Sequence, residues 1–257
     1  MDSTPPTARA PEPDPTAAFR LFCLPYAGGG ANAFREWTAL APPHVEVRPV
    51  EPPGRGRRLS ERPHTRLRPL VAGVTEALLP VLDRPFALFG HSMGALVAFE
   101  LTRHLRELGR PLPHHLFVSG ASAPSVPRTR PALHAVSDAE LVRELRSLNG
   151  TPPQLLANDE LMALMLPTLR ADFSVLETYE HRPGPPLPVP ITVFAGTDDP
   201  SVPHASLPAW RAHSDRGVRL RTLPGDHFFV HSATAEILAE IGAVLGREVP
   251  RPARRPA

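Results

Sequence analysis

Short apolar runs alternate with longer amphipathic stretches through most of this chain. Arg20–Leu24, Val45–Val50, Phe86–Phe89, Leu116–Ser119, Ile191–Ala195 and Val218–Leu223 are rich in Val, Leu, Ile and Phe, and Gly or Pro bounds them. Such runs predict β-strands. Helical periodicity falls at about residues 66–82, 93–108, 204–213 and 232–245. Over 93–108, Leu96, Phe99, Glu100, Arg103 and Glu107 separate into apolar and charged faces, and Gly109 supplies a stop. Strands alternating with helices predict an α/β chain with a mostly parallel sheet and helices on both faces.

The alternation breaks between about Ser125 and Pro188. The pattern there is purely helical, over Ser137–Leu148 and Asn158–Tyr179, and Ser137 with Glu140 reads as a capping box. A helical insertion between two strands of a parallel sheet reads as a lid, at about residues 125–186, over the sheet's C-terminal edge. Residues 1–17 and 247–257 are proline-rich and poor in large apolar side chains. They are expected to be disordered tails around one domain at 18–246.

Composition narrows the classes. At 257 residues and 42% hydrophobic content the chain can bury a sizeable core. No apolar run approaches the roughly 18 residues of a membrane span. The N-terminus lacks the basic and apolar regions of a secretory signal. The lone Cys23 permits no internal disulfide, which suits a reducing cytoplasm. All 28 basic residues are Arg, so no Schiff-base lysine is available. A net charge of +2 and the lack of an aromatic–basic stripe argue against nucleic-acid binding.

The chemistry centres on Gly90-His91-Ser92-Met93-Gly94. This G-x-S-x-G pentapeptide directly follows a strand and directly opens a helix. That is the context of a nucleophile elbow, and it predicts an α/β-hydrolase fold with Ser92 as nucleophile. The turn strains the serine, so small flanking residues are required, and Gly90 and Gly94 supply them. His91 is not expected to be the base, because an elbow splays neighbouring side chains apart.

Serine needs a base, and the base needs an orienting acid. The chain order in this fold is serine, acid, histidine. Of the 12 histidines, His227 is best placed, in the turn between the last strand and the last helix. His181, His204, His213 and His231 read as surface residues. Asp199 is preferred to Asp198 as the acid, because it lies further past Gly196 and Pro200 fixes its backbone. Asp226 is adjacent to His227 and poorly placed to orient it. The oxyanion hole is expected to use the backbone N–H of Met93 and, from the Leu24–Gly30 loop, that of Ala27, with Tyr26 the next choice. No G-K-[ST] follows those glycines, so they are not a phosphate loop.

Several separate motifs then resemble one family. Leu24-Pro25-Tyr26-Ala27-Gly28-Gly29, Pro53-Gly54-Arg55-Gly56-Arg57-Arg58, the pentapeptide around Ser92 and Pro224-Gly225-Asp226-His227-Phe228 are similar to the type II thioesterases that stand beside polyketide synthases and nonribosomal peptide synthetases. So are Leu166-Pro167-Thr168-Leu169-Arg170-Ala171-Asp172-Phe173 and Glu177-Thr178-Tyr179 in the lid. The resemblance implies a cytoplasmic editing enzyme that hydrolyses unwanted acyl groups from the phosphopantetheine arm of acyl or peptidyl carrier domains, through an acyl-serine. It implies no metal or redox cofactor. The arginines of Gly54–Arg58 would then meet the pantetheine phosphate or an acidic carrier domain, or form a solvated basic loop. Macrocyclising type I domains carry their acid after the strand that follows the nucleophile helix. Here that site reads Ser119-Gly120-Ala121-Ser122, without an acid. The opening Met1 and short tail also suit a free-standing protein. The competing readings are an acyltransferase, a general esterase or lipase, and a non-catalytic scaffold that holds carrier domains.

Overall fold

The central strands feed two apolar layers, because successive side chains point to opposite faces. The computed structural model describes residues 16–128, 132–148, 150 and 153–247. The two expected tails lie almost wholly outside the described residues. β1 (Phe19–Leu24), β2 (Val45–Pro49), β3 (Phe86–His91), β4 (Leu116–Ser119), β5 (Ile191–Gly196) and β6 (Val218–Leu223) form one sheet in the order β2-β1-β3-β4-β5-β6. Every pairing is parallel. The helices are α1 (Trp37–Leu40), α2 (Leu67–Leu78), α3 (Met93–Glu107), α4 (Asp138–Ser147), α5 (Pro153–Leu156), α6 (Asp159–Glu177), α7 (Phe229–Ser232) and α8 (Thr234–Gly246).

On one face Phe22, Leu88, Val118 and Val193 pack with α2 and α3. On the other, Leu21, Phe89, Phe117 and Phe194 pack with α1, α7 and α8. A third, separate cluster lies inside the insertion, where Leu141, Leu145, Leu156, Met162, Leu166, Leu169 and Phe173 join α4, α5 and α6. The insertion therefore has its own small core. The expected capping box at Ser137 and Glu140 is present. No helix among the described residues is long and apolar enough to cross a membrane.

Two expectations need correction. Residues His204–His213 form a 3-10 helix rather than an α-helix. Pro208 lies inside it, and proline lacks the N–H that an i→i−4 bond would use. His213 is also not a surface residue. It is 7% exposed, its Nε2 lies 2.9 Å from Ser125 Oγ, and its ring packs against Phe99 and Trp210.

Burial lowers the His213 pKa from 6.5 to about 4, and the nearby His181 and Arg103 push the same way. His115, stacked on Phe117, also falls to about 4, through burial and then Arg219, with Glu240 opposing. Both rings are neutral in the folded protein, while the unfolded chain takes up protons near pH 6.5. The unfolded state then binds more protons, so stability is lost as pH falls from 6.5 towards 4. The urea midpoint is expected to drop over that window. His115→Phe with His213→Phe should remove about two protons from the slope. An unchanged slope would contradict this assignment.

Candidate active site

The chain leaves β1 for one edge of the sheet at β2, returns across β1 to β3, and then steps in the other direction to β6. Such a reversal opens a crevice at the C-terminal ends of the two diverging strands, here β1 and β3. The loop after β1 and the turn carrying Ser92 both lie at that crevice.

Ser92 has φ 54° and ψ −112°, and among the described residues it is the one non-glycine with positive φ. Such a conformation costs about 1–3 kcal/mol and persists when its surroundings over-determine it. Here the Ser92 amide donates to the Ser119 carbonyl at 2.8 Å. A Cβ at Gly90 would collide with the Gly94 carbonyl, and one at Gly94 with the Leu24 carbonyl. Both glycines are therefore needed for the close approach of strand, turn and helix.

His227 comes from the turn between β6 and α7. Its Nε2 is 3.1 Å from Ser92 Oγ, and its Nδ1 is 2.7 Å from Asp199 Oδ2. The Asp199 side chain is fully buried, and its Oδ1 accepts the Ser201 amide at 2.7 Å. Burial by itself would raise the Asp199 pKa. The hydrogen bond and charge of His227, with the bonds from Ser201, outweigh it and leave the pKa lowered. Asp199 is thus an ionised acceptor that fixes which nitrogen of His227 carries the proton. His227 Nε2 is left to accept from Ser92.

The rejected candidates have other partners. Asp198 Oδ2 accepts from Thr197 Oγ1 at an exposed position. Asp226 Oδ1 accepts the Phe228 amide and closes its own turn. His91 is fully buried. Its pKa is held well below 6.5 by burial and by the His227 charge, so the ring stays neutral. His91 Nε2 donates to the His227 carbonyl at 2.9 Å, and Nδ1 accepts from Ser119 Oγ at 2.9 Å. It braces the His227 turn from below.

Met93 is the first residue of α3, so its amide belongs to the first turn, which has no intrahelical acceptor. Ala27 lines the same cavity as Ser92 and His227. That cavity measures about 710 Å³. Leu145, Leu148, Met165, Leu169, Phe173 and Leu176 of the insertion line it. An apolar space of this size over a nucleophile suits an acyl chain.

The arginine loop departs from expectation. Arg55 is 8% exposed and turned inward, bonding both carboxylate oxygens of Asp172 at 2.6 and 2.8 Å. Arg58 pairs with Glu61 and donates to the Glu51 carbonyl. Arg55 is therefore committed to a buried ion pair at the cavity wall and does not project into solvent as part of a basic loop. Arg57, Arg62, Arg66 and Arg68 are exposed. The Asp172 contact was not foreseen from the sequence. One signal for it existed: Asp172 falls three residues after Leu169 and four before Leu176, on the apolar stripe of α6.

A strained serine at the head of α3, reached by a histidine from beyond the last strand, is the arrangement of the α/β-hydrolase class of serine hydrolases. Within that class the chain belongs to the thioesterase family, whose Thioesterase domain matches residues 19–245, and it is a thioester hydrolase. It is 46% identical over 222 residues to the gramicidin S biosynthesis protein GrsT of Aneurinibacillus migulanus, covering 86% of this chain and 87% of that one. It is also similar to RedJ, a thioesterase from the prodiginine pathway of Streptomyces coelicolor. The TM-score is 0.84 at 42% identity, over 93% of this chain and 90% of RedJ. The type II thioesterase BorB from the borrelidin cluster superposes with a TM-score of 0.82 at 41% identity, over 90% and 94% of the two chains.

Proposed function

We propose that this protein is a stand-alone editing thioesterase of a polyketide or nonribosomal peptide assembly line, working in the cytoplasm. It clears aberrant or stalled acyl groups from the phosphopantetheine arm of carrier proteins. The observation that carries this reading is the hydrogen-bonded series Ser92–His227–Asp199 at the floor of an apolar cavity roofed by a helical insertion. The names of GrsT, RedJ and BorB support the setting.

In the first half-reaction Ser92 Oγ attacks the thioester carbonyl while His227 Nε2 takes its proton. The carbonyl oxygen becomes an oxyanion, held by the Met93 and Ala27 amides. The C–S bond then breaks, and His227 returns the proton to the departing phosphopantetheine sulfur. In the second half, His227 takes a proton from water, which attacks the acyl-serine. Collapse of that intermediate breaks the ester C–O bond, His227 returns the proton to Ser92 Oγ, and the free acid leaves. Asp199 stays ionised throughout and stabilises the imidazolium.

A carrier domain offers protein contacts that a small thioester lacks. Carrier domains are commonly acidic, and Arg57, Arg62, Arg66 and Arg68 form an exposed basic stretch beside the cavity loops. Turnover should therefore favour an acyl carrier over the same acyl group on coenzyme A. The preference should shrink with salt, because exposed pairs are screened over about 8–10 Å near physiological ionic strength. Arg57→Glu with Arg62→Glu should raise KM for the carrier roughly three- to tenfold, with little change for coenzyme A. Equal kcat/KM for both substrates, insensitive to salt and to the reversals, would leave a general thioesterase.

A further inference from the structure

We propose that the buried Arg55–Asp172 pair is a positioning device for the oxyanion loop, and that through it the lid helix α6 sets the geometry of the catalytic floor. The proposal rests on the reading above, in which the Ala27 amide is an oxyanion donor. Asp172 lies in α6, on the insertion, and is 2% exposed. Its Oδ2 accepts the amide of Gly28, the residue after Ala27, at 2.7 Å. Arg55 holds that carboxylate in a fork, and its Nη1 also donates to the Gly29 carbonyl at 2.9 Å. The pair thus grips two peptide groups that flank the Gly28–Gly29 peptide, the Ala27–Gly28 group by its N–H and the Gly29–Gly30 group by its C=O.

The loop's own closure is one turn, in which the Gly29 amide donates to the Tyr26 carbonyl at 2.9 Å, and α6 adds to it. Gly28 sits at φ +77°, a region that favours glycine, and its Cβ position is taken by Leu169 of α6. A second tie runs from Thr168 Oγ1 of α6 to the Gly54 carbonyl at 2.8 Å, which fixes the backbone before Arg55. The Gly28 amide and the Gly29 carbonyl take their bonds from one buried ion pair, and that pair spans the lid and the core. A carboxylate on an otherwise apolar helix stripe is costly to bury without such partners. Moving the C-terminal half of α6 therefore moves the peptide next to the Ala27 N–H.

The decisive variants are Asp172→Asn and the double variant Arg55→Met, Asp172→Leu. The single change leaves the guanidinium unpaired. The double change removes both buried charges, which often restores stability, but supplies no partner for Gly28 or Gly29. Thermal midpoint, kcat and KM on an acyl-coenzyme A, and affinity for an acyl trifluoromethyl ketone would be measured for each. The ketone adds to Ser92 and places an oxyanion in the hole. Active sites are counted by the end point of fluorophosphonate labelling. In both variants kcat per labelled site should fall about 10- to 100-fold, as expected for a displacement of about an ångström at the reacting centre. KM should change by less than about threefold, and the ketone should weaken by the same factor as kcat. The proposal is overturned if the double variant regains both stability and kcat, or if neither variant folds, since the pair would then serve stability alone. It is also overturned if kcat per site is normal in Asp172→Asn. Failure of the underlying reading looks different: the unaltered protein would show no thioesterase activity, or Ser92→Ala would keep it.

Discussion

Ser92→Ala and His227→Ala are each expected to lower kcat on an acyl thioester by about 10⁴-fold or more, with only modest change in KM. Members of a nucleophile–base–acid unit act together, so removing one forfeits most of what the unit supplies. Some acceleration over water should survive, because the proposed oxyanion donors, the Met93 and Ala27 amides, and the apolar cavity remain. The geometry makes the two losses distinct in kind. Without Ser92 there is no atom for His227 Nε2 to deprotonate at 3.1 Å. Without His227 the serine remains at its strained φ of 54°, but unactivated. A fluorophosphonate probe should accordingly label the unaltered protein at Ser92, label Ser92→Ala nowhere, and label His227→Ala slowly. Labelling at another serine, or near-normal rates in Ser92→Ala, would refute the assignment. Ser92→Ala also relieves backbone strain only in part, since alanine too disfavours positive φ, so its thermal midpoint should stay close to that of the parent.

Asp199→Asn should cost about 10⁴-fold in kcat, while Asp198→Asn should stay within about threefold. An amide at position 199 can donate a hydrogen bond to His227 Nδ1, which must then be the unprotonated nitrogen. The imidazole then carries its own proton on Nε2, the nitrogen that must accept from Ser92. Asp199 also answers the Ser201 amide from inside a fully buried side chain, so the substitution keeps the shape and changes the tautomer. Asp198 points to Thr197 Oγ1 at the surface and has no contact with the imidazole. Nitrogen NMR of His227 separates the explanations: the proton should sit on Nδ1 in the parent and on Nε2 in Asp199→Asn. The reverse order would transfer the role to Asp198, and equal small effects would remove it from both.

The sequence by itself determined whatever depends on local periodicity and local sterics. Short apolar runs bounded by Gly or Pro marked all six strands, because a strand covered on both faces needs apolar side chains on both. Strand–helix alternation implied the parallel sheet, and β3 met the expected elbow with only its end displaced, to His91. Gly90 and Gly94 could be read as steric necessities from two residues away, and the family resemblance from short motifs in order. The residues Ser92, His227 and Asp199 could be named because the fold's chain order limits which turns converge at one sheet edge. Tertiary structure decided what depends on partners distant in sequence. Arg55 reads as an exposed basic residue until a carboxylate 117 positions away turns it inward. Asp172 sits on the apolar stripe of α6, and its partner is named only when the loop after β1 presents an amide to it. His213 is buried because Phe99 of α3 meets it, alongside Trp210 of its own helix. Hydrophobic patterning specifies which face of an element is covered. A polar side chain on that face acquires its meaning from the one group that meets it, and no local rule names that group in advance.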